Sequence, residues 1–279
     1  MQNEYDTDAR SAPPPPPSPS QPRMRLALPN NPPTVTYLLL GLIVLVYLAG
    51  QIIPVQPGTV VKGIRVRGGE ELLFVYGAKI TEFIVQDGEV YRLLTMIFLH
   101  GGLVHLFFNG MALYSIGQQV ERIFGHVRFL IIYFLGGLTA SVVSVVLNPT
   151  AWSVGASGAL FAIFGAEMVM LYRNRALFGV AGRAQLNNLV MWLALNVLIG
   201  LSSPYIDNWA HIGGFVAGVA LAWLITPQFA APTIIQPEDM AQGVVPLADE
   251  NPSHRWILVP FLWAAGLVLA VGLLMMGRG

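Results

Sequence analysis

Long apolar runs with almost no charged residues limit what this chain can fold into. A helix needs about 20 predominantly apolar residues to cross the hydrocarbon core of a bilayer. Runs that approach or exceed this length occupy residues 34–53, 93–120, 129–147, 154–172, 189–203, 210–226 and 256–276, and Glu167 is the one charged residue within them. Gly101 and Gly102 interrupt the second run, so its helix is predicted to begin near Leu103. The pattern predicts six clustered membrane helices followed by a seventh.

The composition agrees with a membrane protein. Hydrophobic residues make up 54% of the 279 residues, charged residues only 11%, and the mean hydropathy is +0.61. A single water-soluble core cannot bury that much apolar surface. The formal net charge of zero gives no electrostatic argument for nucleic-acid binding, and the absence of cysteine excludes disulfides, thiolate metal sites and a cysteine nucleophile. The predicted fold class is an all-α, polytopic membrane helical bundle.

The chain divides into four predicted segments. Residues 1–33 are polar and contain the run Pro13–Pro17, so we expect a disordered, Pro-rich cytoplasmic tail without the pattern of a signal peptide. Residues 34–226 form the predicted six-helix core, in which 54–92 is an external first loop. Residues 227–255 are a predicted cytoplasmic linker, and 256–279 contain the seventh membrane helix.

Basic residues in the short connections predict the orientation. Arg122 and Arg128 follow the second run, and Arg173, Arg175 and Arg183 follow the fourth, whereas residues 148–153 and 204–209 contain no basic residue. Lysine and arginine are enriched in cytoplasmic loops of membrane proteins. The N-terminus is therefore predicted to be cytoplasmic, and the second, fourth and sixth helices run from outside to inside.

Polar side chains are predicted to converge at the outer ends of these three helices. Ser157 lies at the start of the fourth helix, His211 at the start of the sixth, and His105 and Asn109 lie on one face of the second, about 6 Å apart along its axis. Neutral imidazole can take a proton from a serine hydroxyl, so Ser157 and His211 fit a nucleophile and its general base. Asn109, His105 and the Ser157 N–H are candidate donors to an oxyanion. Asp207 lies in the preceding loop and Glu167 ten residues after Ser157, so a dyad is predicted rather than a triad.

Three motifs resemble those of the rhomboid intramembrane serine proteases, over residues 34–226. They are HGGLVHLFFN at 100–109, GASG at 155–158 and AHIGGFVAG at 210–218. The resemblance implies a six-helix core with a water-filled cavity open to the outside, in which membrane segments of other proteins are hydrolysed. It also implies that Ser157 is the nucleophile, His211 the base, and His105 and Asn109 oxyanion partners. The seventh helix would make this a six-plus-one form.

The same resemblance implies several further expectations. The localisation expected is a bacterial plasma membrane, the partners are transmembrane protein substrates and the lipid bilayer, and no nucleic acid, cofactor or metal is required. Tyr91 and Arg92 resemble an aromatic–arginine pair of the first loop, and Glu121 and Arg122 a structural pair at the inner end of the second helix. Phe161 occupies a position where an aromatic ring commonly lies beneath the histidine.

Other interpretations of these residues remain open. A catalytically inactive relative could bind or chaperone membrane proteins, although such relatives typically lack the serine or the histidine. A transporter or channel should show repeated halves and charged residues along a path, and neither is present in the sequence. Gly214 and Gly218 form a small-residue face that is typical of close helix packing. Gln51, Glu167 and Asn196 have no group of polar residues around them in the predicted arrangement, so packing or loop-facing roles are expected for them.

Overall fold

The computed structural model describes residues 25–230, 232, 238 and 243–277, and its described part is mainly helical. The helices are α1 Thr34–Ile52, α2 Gly69–Gly77, α3 Thr81–Val85, α4 Arg92–Thr95, α5 Leu103–Ala112, α6 Gln118–Leu147, α7 Ser157–Arg173, α8 Arg175–Leu201, α9 Asn208–Ile225 and α10 Val259–Met276. A π-helical turn, Leu113–Gly117, joins α5 to α6 without a break. Short strands are β1 Arg25–Ala27, β2 Val60–Val61, β3 Ile64–Arg65, β4 Phe229–Ala230, β5 Val244–Pro246 and β6 Ala248–Asp249.

The long helices form a polytopic membrane bundle, which confirms the predicted fold class. Within the described residues, five helical stretches are long and apolar enough to cross a membrane: Thr34–Ile52, Leu103–Leu147, Arg175–Leu201, Asn208–Ile225 and Ser253–Met276. The second of these has 45 residues and reverses direction at Gly125, where φ is 77°. Both of its ends lie beside the segment before α7, since His105 neighbours Gly155 and Ser144 neighbours Ser153. The stretch therefore contains the predicted second and third helices.

Helix α7 lies at the centre of the bundle, between α6 and α9. Twelve of its 17 residues are buried, and many of them are small. A Cβ added at Gly136 of α6 or at Gly218 of α9 would overlap Ala162 of α7. Because glycine and alanine allow backbones to approach closely, these contacts bring the start of α9 next to the start of α7.

The fifth helix is longer than the sequence predicted. Helix α8 begins at Arg175 rather than at residue 189, and its backbone breaks at Gly179, where φ is 50°. Counting apolar residues finds only the part of a helix that lies in lipid, so the polar first turns of α8 escaped the prediction. Most of the second half of α8 is exposed on the protein surface, as expected for a lipid-facing helix.

The first loop is a folded unit rather than an open connection. It contains the β2–β3 hairpin, α2 and α3, and its last residue, Arg92, is fully buried. The Arg92 guanidinium donates to the carbonyl oxygens of Val75 and Ala78 at 2.7 and 3.0 Å and to Glu89 at 2.7 Å. The neighbouring Tyr91 lies 5.7 Å from the Arg92 guanidinium and is exposed.

The segments expected on the cytoplasmic side also contain ordered structure. Strand β1 pairs in parallel with β5, and β4 pairs with β6. Asn31 donates from both its backbone and its side chain to the carbonyl oxygen of Arg122. Residues 25–31 therefore contact both the linker and the end of the second predicted helix; residues 1–24 of the predicted tail, with the proline run 13–17, lie outside the described residues.

Candidate active site

Ser157 and His211 lie within hydrogen-bonding distance of each other. Ser157 is the first residue of α7 and His211 the fourth of α9, and Ser157 Oγ is 2.9 Å from His211 Nε2. The close approach of the two helices makes this possible, because a Cβ at Gly214 would overlap the carbonyl oxygen of Gly158. The structure therefore brings together the two residues that the sequence assigned as nucleophile and base.

The imidazole of His211 is oriented by stacking. Its ring lies on the Phe161 ring with the centroids 4.2 Å apart and an angle of 9° between the planes. Phe161 is one turn along α7 from Ser157 and is buried. His211 Nδ1 has no hydrogen-bond partner among the groups that the structure describes, and the Asp207 carboxylate binds other groups. The described residues thus supply a Ser–His pair whose ring is fixed by an aromatic neighbour.

His105 and Asn109 lie next to Gly155, two residues before Ser157. A Cβ at Gly155 would be 2.7 Å from the His105 ring and 3.6 Å from the Asn109 amide nitrogen. Gly155 has a φ of 122°, and its N–H donates to the carbonyl oxygen of Met96 at 2.9 Å. Only glycine fits this position without strain, because it needs both the left-handed backbone and the missing side chain.

The hydrogen bonds of this group leave N–H donors of His105 and Asn109 unused among the described residues. Gly101 N–H donates to His105 Nδ1 at 3.3 Å, so a neutral His105 has its proton on Nε2, the nitrogen that lies beside Gly155. One Asn109 amide hydrogen donates to the carbonyl oxygen of His105, at 3.2 Å, and the second remains available. The first N–H groups of α7 have no acceptor within the helix, and the partial positive charge there favours an anion.

A second polar cluster, which the sequence did not predict as a unit, lies beside the pair. Asp207 precedes α9 and binds Ser144, Asn148 and Ser153, and Lys79 of the first loop contacts the same segment. An aspartate immediately before a helix is a recognisable N-cap signal. Its partners in the cluster are separated from Asp207 by between 54 and 128 positions along the chain, so no local sequence pattern connects them to it.

Together, the bundle and the site define a polytopic membrane protein with a serine and a histidine paired at one end of its central helices. Residues 87–228 match the family model described as the Rhomboid domain, so the chain belongs to the rhomboid family. All four of the residues above, His105, Asn109, Ser157 and His211, lie within the matched stretch.

Individual relatives show the same relationship. The chain is 38% identical over 192 residues to the protein named Rhomboid protease GluP of Bacillus subtilis, which covers 68% of this chain and 34% of that protein. It is 35% identical over 213 residues to RHOMBOID-like protein 1 of Arabidopsis thaliana, covering 73% of this chain and 52% of the relative. A match to the putative rhomboid protease YdcA of Bacillus subtilis is 35% identical over 142 residues, 50% of this chain and 69% of the relative. The chain thus spans about a third to a half of the length of the first two relatives.

Proposed function

We propose that this protein is an intramembrane serine endopeptidase that hydrolyses peptide bonds in or near the membrane segments of other proteins. The observation on which the proposal depends is the 2.9 Å distance between Ser157 Oγ and His211 Nε2. Family membership and the printed names of two bacterial relatives as rhomboid proteases support it.

Each residue of the site has a defined step in this reaction. Ser157 Oγ attacks the substrate carbonyl carbon while His211 Nε2 takes the hydroxyl proton. His211 then gives that proton to the leaving amine as the C–N bond breaks, and an acyl group remains on Ser157. A water molecule, deprotonated by His211, attacks the acyl carbon. The bond from that carbon to Ser157 Oγ then breaks, His211 returns the proton to Oγ, and the second product leaves as a carboxylic acid. Donors aimed at the tetrahedral oxygen stabilise both intermediates, and His105 Nε2–H, the Asn109 amide and the Ser157 N–H fit this role.

The position of the pair at the end of the bundle fits the need for water. Hydrolysis of the acyl-enzyme requires water at the site, which the hydrocarbon core does not provide. Ser157 and His211 are both half-buried rather than fully enclosed. A substrate helix must also unwind locally, because a helical backbone keeps its carbonyl groups in hydrogen bonds. We expect the cleaved bond to lie near the outer end of the substrate's membrane segment.

The alternative function is that of an inactive relative that binds membrane proteins without cleaving them. The hydrogen-bonded Ser157–His211 pair favours the enzyme, because a binding protein has no need of a base in contact with a serine. The two functions differ in one measurable property, the reactivity of the Ser157 hydroxyl.

Labelling of the purified protein with a fluorophosphonate probe tests the proposal. The wild type should be labelled, and Ser157→Ala and His211→Ala should not be, while both variants keep the helical circular-dichroism spectrum. Ser202→Ala is the matched control, because the Ser202 hydroxyl donates to the carbonyl oxygen of Leu198, four residues earlier on α8, and not to a histidine. Labelling of Ser157→Ala at the wild-type rate, or no labelling of the wild type, would refute the enzyme.

A further inference from the structure

The carboxylate of Asp207 lies at the centre of a hydrogen-bonded cluster that the reaction above does not use. Oδ1 accepts from the N–H of Ala210 at 3.2 Å, as a helix N-cap does, and from the Asn148 amide at 3.2 Å. Oδ2 accepts from the hydroxyls of Ser144 and Ser153. Burial by itself raises the pKa of Asp207, but these hydrogen bonds outweigh it and hold the pKa below its ordinary value. The group is therefore an anion at neutral pH.

Asp207 is hydrogen-bonded to two parts of the proposed active site. One is the segment that precedes the nucleophile Ser157, and the other is the base His211. Its side-chain partners Ser144, Asn148 and Ser153 belong to the last turn of α6 and to the connection 148–156, which ends at Ser157. The backbone carbonyl of Asp207 accepts from the N–H of His211 at 3.2 Å. One residue thus connects the approach to α7 with the first turn of α9.

Lys79 holds the same connection from the side of the first loop. Its side chain is fully buried, and Nζ donates to the carbonyl oxygens of Asn148 and Ala151 at 2.6 and 2.9 Å. Its backbone exchanges two hydrogen bonds with Ser153, at 3.0 and 3.1 Å. Burial lowers the pKa of Lys79 to about 8, and the charge of Asp207 opposes that shift. The connection before Ser157 is therefore held between a cation and an anion.

We propose that Asp207 is a positioning residue for peptide-bond hydrolysis: its carboxylate ties the connection before Ser157 to the first turn of α9 and so fixes the distance between Ser157 Oγ and His211 Nε2. The inference rests on the proposed function. Asp207 acts through the backbone and not as a third member of a triad, since its oxygens are bonded to groups other than the imidazole. Catalysis is sensitive to such placement, because a displacement of about 1 Å can cost on the order of 100-fold in rate.

Two substitutions separate this role from simple helix capping. Asp207→Asn keeps an oxygen that can accept from Ala210, and asparagine caps helices about as well as aspartate, but its NH2 group cannot accept from the two hydroxyls. We expect kcat to fall on the order of tenfold with KM unchanged, because the groups that contact substrate are untouched. Asp207→Ala removes the cap as well and should lower kcat further.

The serine partners provide an independent test. The double variant Ser144→Ala/Ser153→Ala removes the same two hydrogen bonds from the other side, so it should reproduce the kcat of Asp207→Asn. Combining all three substitutions should cause no additional loss, as expected for residues that act as one unit. If Asp207→Ala does not fold, the double serine variant alone still tests the inference.

A carboxylate at the opposite end of the protein serves as the control. Asp249 is also half-buried and accepts from backbone N–H groups, those of Gln228 at 3.1 Å and Asn251 at 2.9 Å. Asp249→Ala should lower thermal stability while kcat stays at the wild-type value. A wild-type kcat in Asp207→Asn and in the double serine variant would overturn the inference. Absence of cleavage by the wild type would reject the hydrolase itself, so the two failures are distinguishable in one assay.

Discussion

The Asn109 amide is predicted to matter for the transition state more than for the fold. One of its hydrogens is used within α5, on the carbonyl oxygen of His105, and the other is free to reach an oxyanion. Asn109→Ala should lower kcat by about ten- to a thousand-fold with little change in KM, as loss of one oxyanion donor does. Cleavage kinetics on a transmembrane substrate measure this effect.

Asn196 is a matched control for that substitution. Its amide donates to the carbonyl oxygen of Trp192, four residues earlier on α8, which repeats the local bond of Asn109 away from Ser157. Asn196→Ala should leave kcat unchanged. Equal rates for the two variants would show that Asn109 does not donate to the oxyanion. His105 and the backbone N–H of Ser157 would then be the remaining donors.

Gly155 is predicted to tolerate no side chain, because two independent constraints meet there. Its φ is 122°, and a Cβ would lie 2.7 Å from the His105 ring. Gly155→Ala should therefore displace His105 and lower kcat, measured together with thermal unfolding. Gly58→Ala controls for the backbone alone, since Gly58 has a φ of 84° with nothing within 4 Å of a Cβ. A kcat loss no larger in Gly155→Ala than in Gly58→Ala would contradict this account of the site.

Ionisation of Asp207 is predicted to make stability depend on pH in the acid range. Because the folded pKa lies below the unfolded value, the carboxylate contributes stability above the unfolded pKa, which is lost as pH falls through the folded pKa. Thermal unfolding in detergent should show a steeper acid loss for the wild type than for Asp207→Asn. Parallel pH profiles for the two proteins would show that the hydrogen bonds do not favour the ionised form.

At the scale of helices, glycines determine how closely α7 and α9 approach. A Cβ at Gly218 would overlap the backbone of Ala162, so Gly218→Ala must push the helices apart. We expect a loss of stability of about 1–3 kcal/mol, typical of overpacking, and a lower rate of fluorophosphonate labelling because Ser157 and His211 separate. Gly266→Ala in α10 is the control, because nothing lies within 4 Å of its Cβ. A thermal midpoint equally unchanged in both variants would refute close packing as the role of Gly218.

The sequence predicts the helices better than it predicts their ends and connections. Charge-free runs identify the lipid-crossing parts, because burial in hydrocarbon imposes composition directly on the chain. The reversal at Gly125 and the early start of α8 depend on backbone conformation and polar turns, which composition does not reveal.

At the site, the sequence indicated the residues whose side-chain type suggests a chemical role. It did not indicate residues that matter only because of where the fold places them. Ser157, His211, His105 and Asn109 were singled out because a hydroxyl, an imidazole and an amide are recognisable chemical types, and their catalytic roles stay a proposal. The contacts of Lys79 with residues 148–153 depend on how the first loop packs on the bundle, which no local pattern encodes.

Viewed as a whole, the molecule has two chemically different ends. Near the Ser157 end, Ile84 and Val85 of the first loop pack against Leu274 and neighbouring residues at the close of α10. At the other end, Arg128 binds Asp249 of β6 at 2.7 Å, and β6 pairs with β4. The first loop and the linker therefore lie on opposite faces of the bundle. The arginines that follow the second and fourth predicted runs favour the linker face as cytoplasmic.

This orientation gives the last prediction, and the absence of cysteine from the chain makes it simple to measure. Gln56→Cys places a thiol at an exposed position of the first loop, and Ser253→Cys places one at an exposed position just before α10. On intact cells, a membrane-impermeant maleimide should modify Gln56→Cys, and it should modify Ser253→Cys only after permeabilisation. Both variants should retain fluorophosphonate labelling, which verifies the fold. The reverse labelling pattern would show that the Ser157–His211 pair lies at the cytoplasmic end of the bundle. Substrates would then have to present the inner rather than the outer ends of their membrane segments to it.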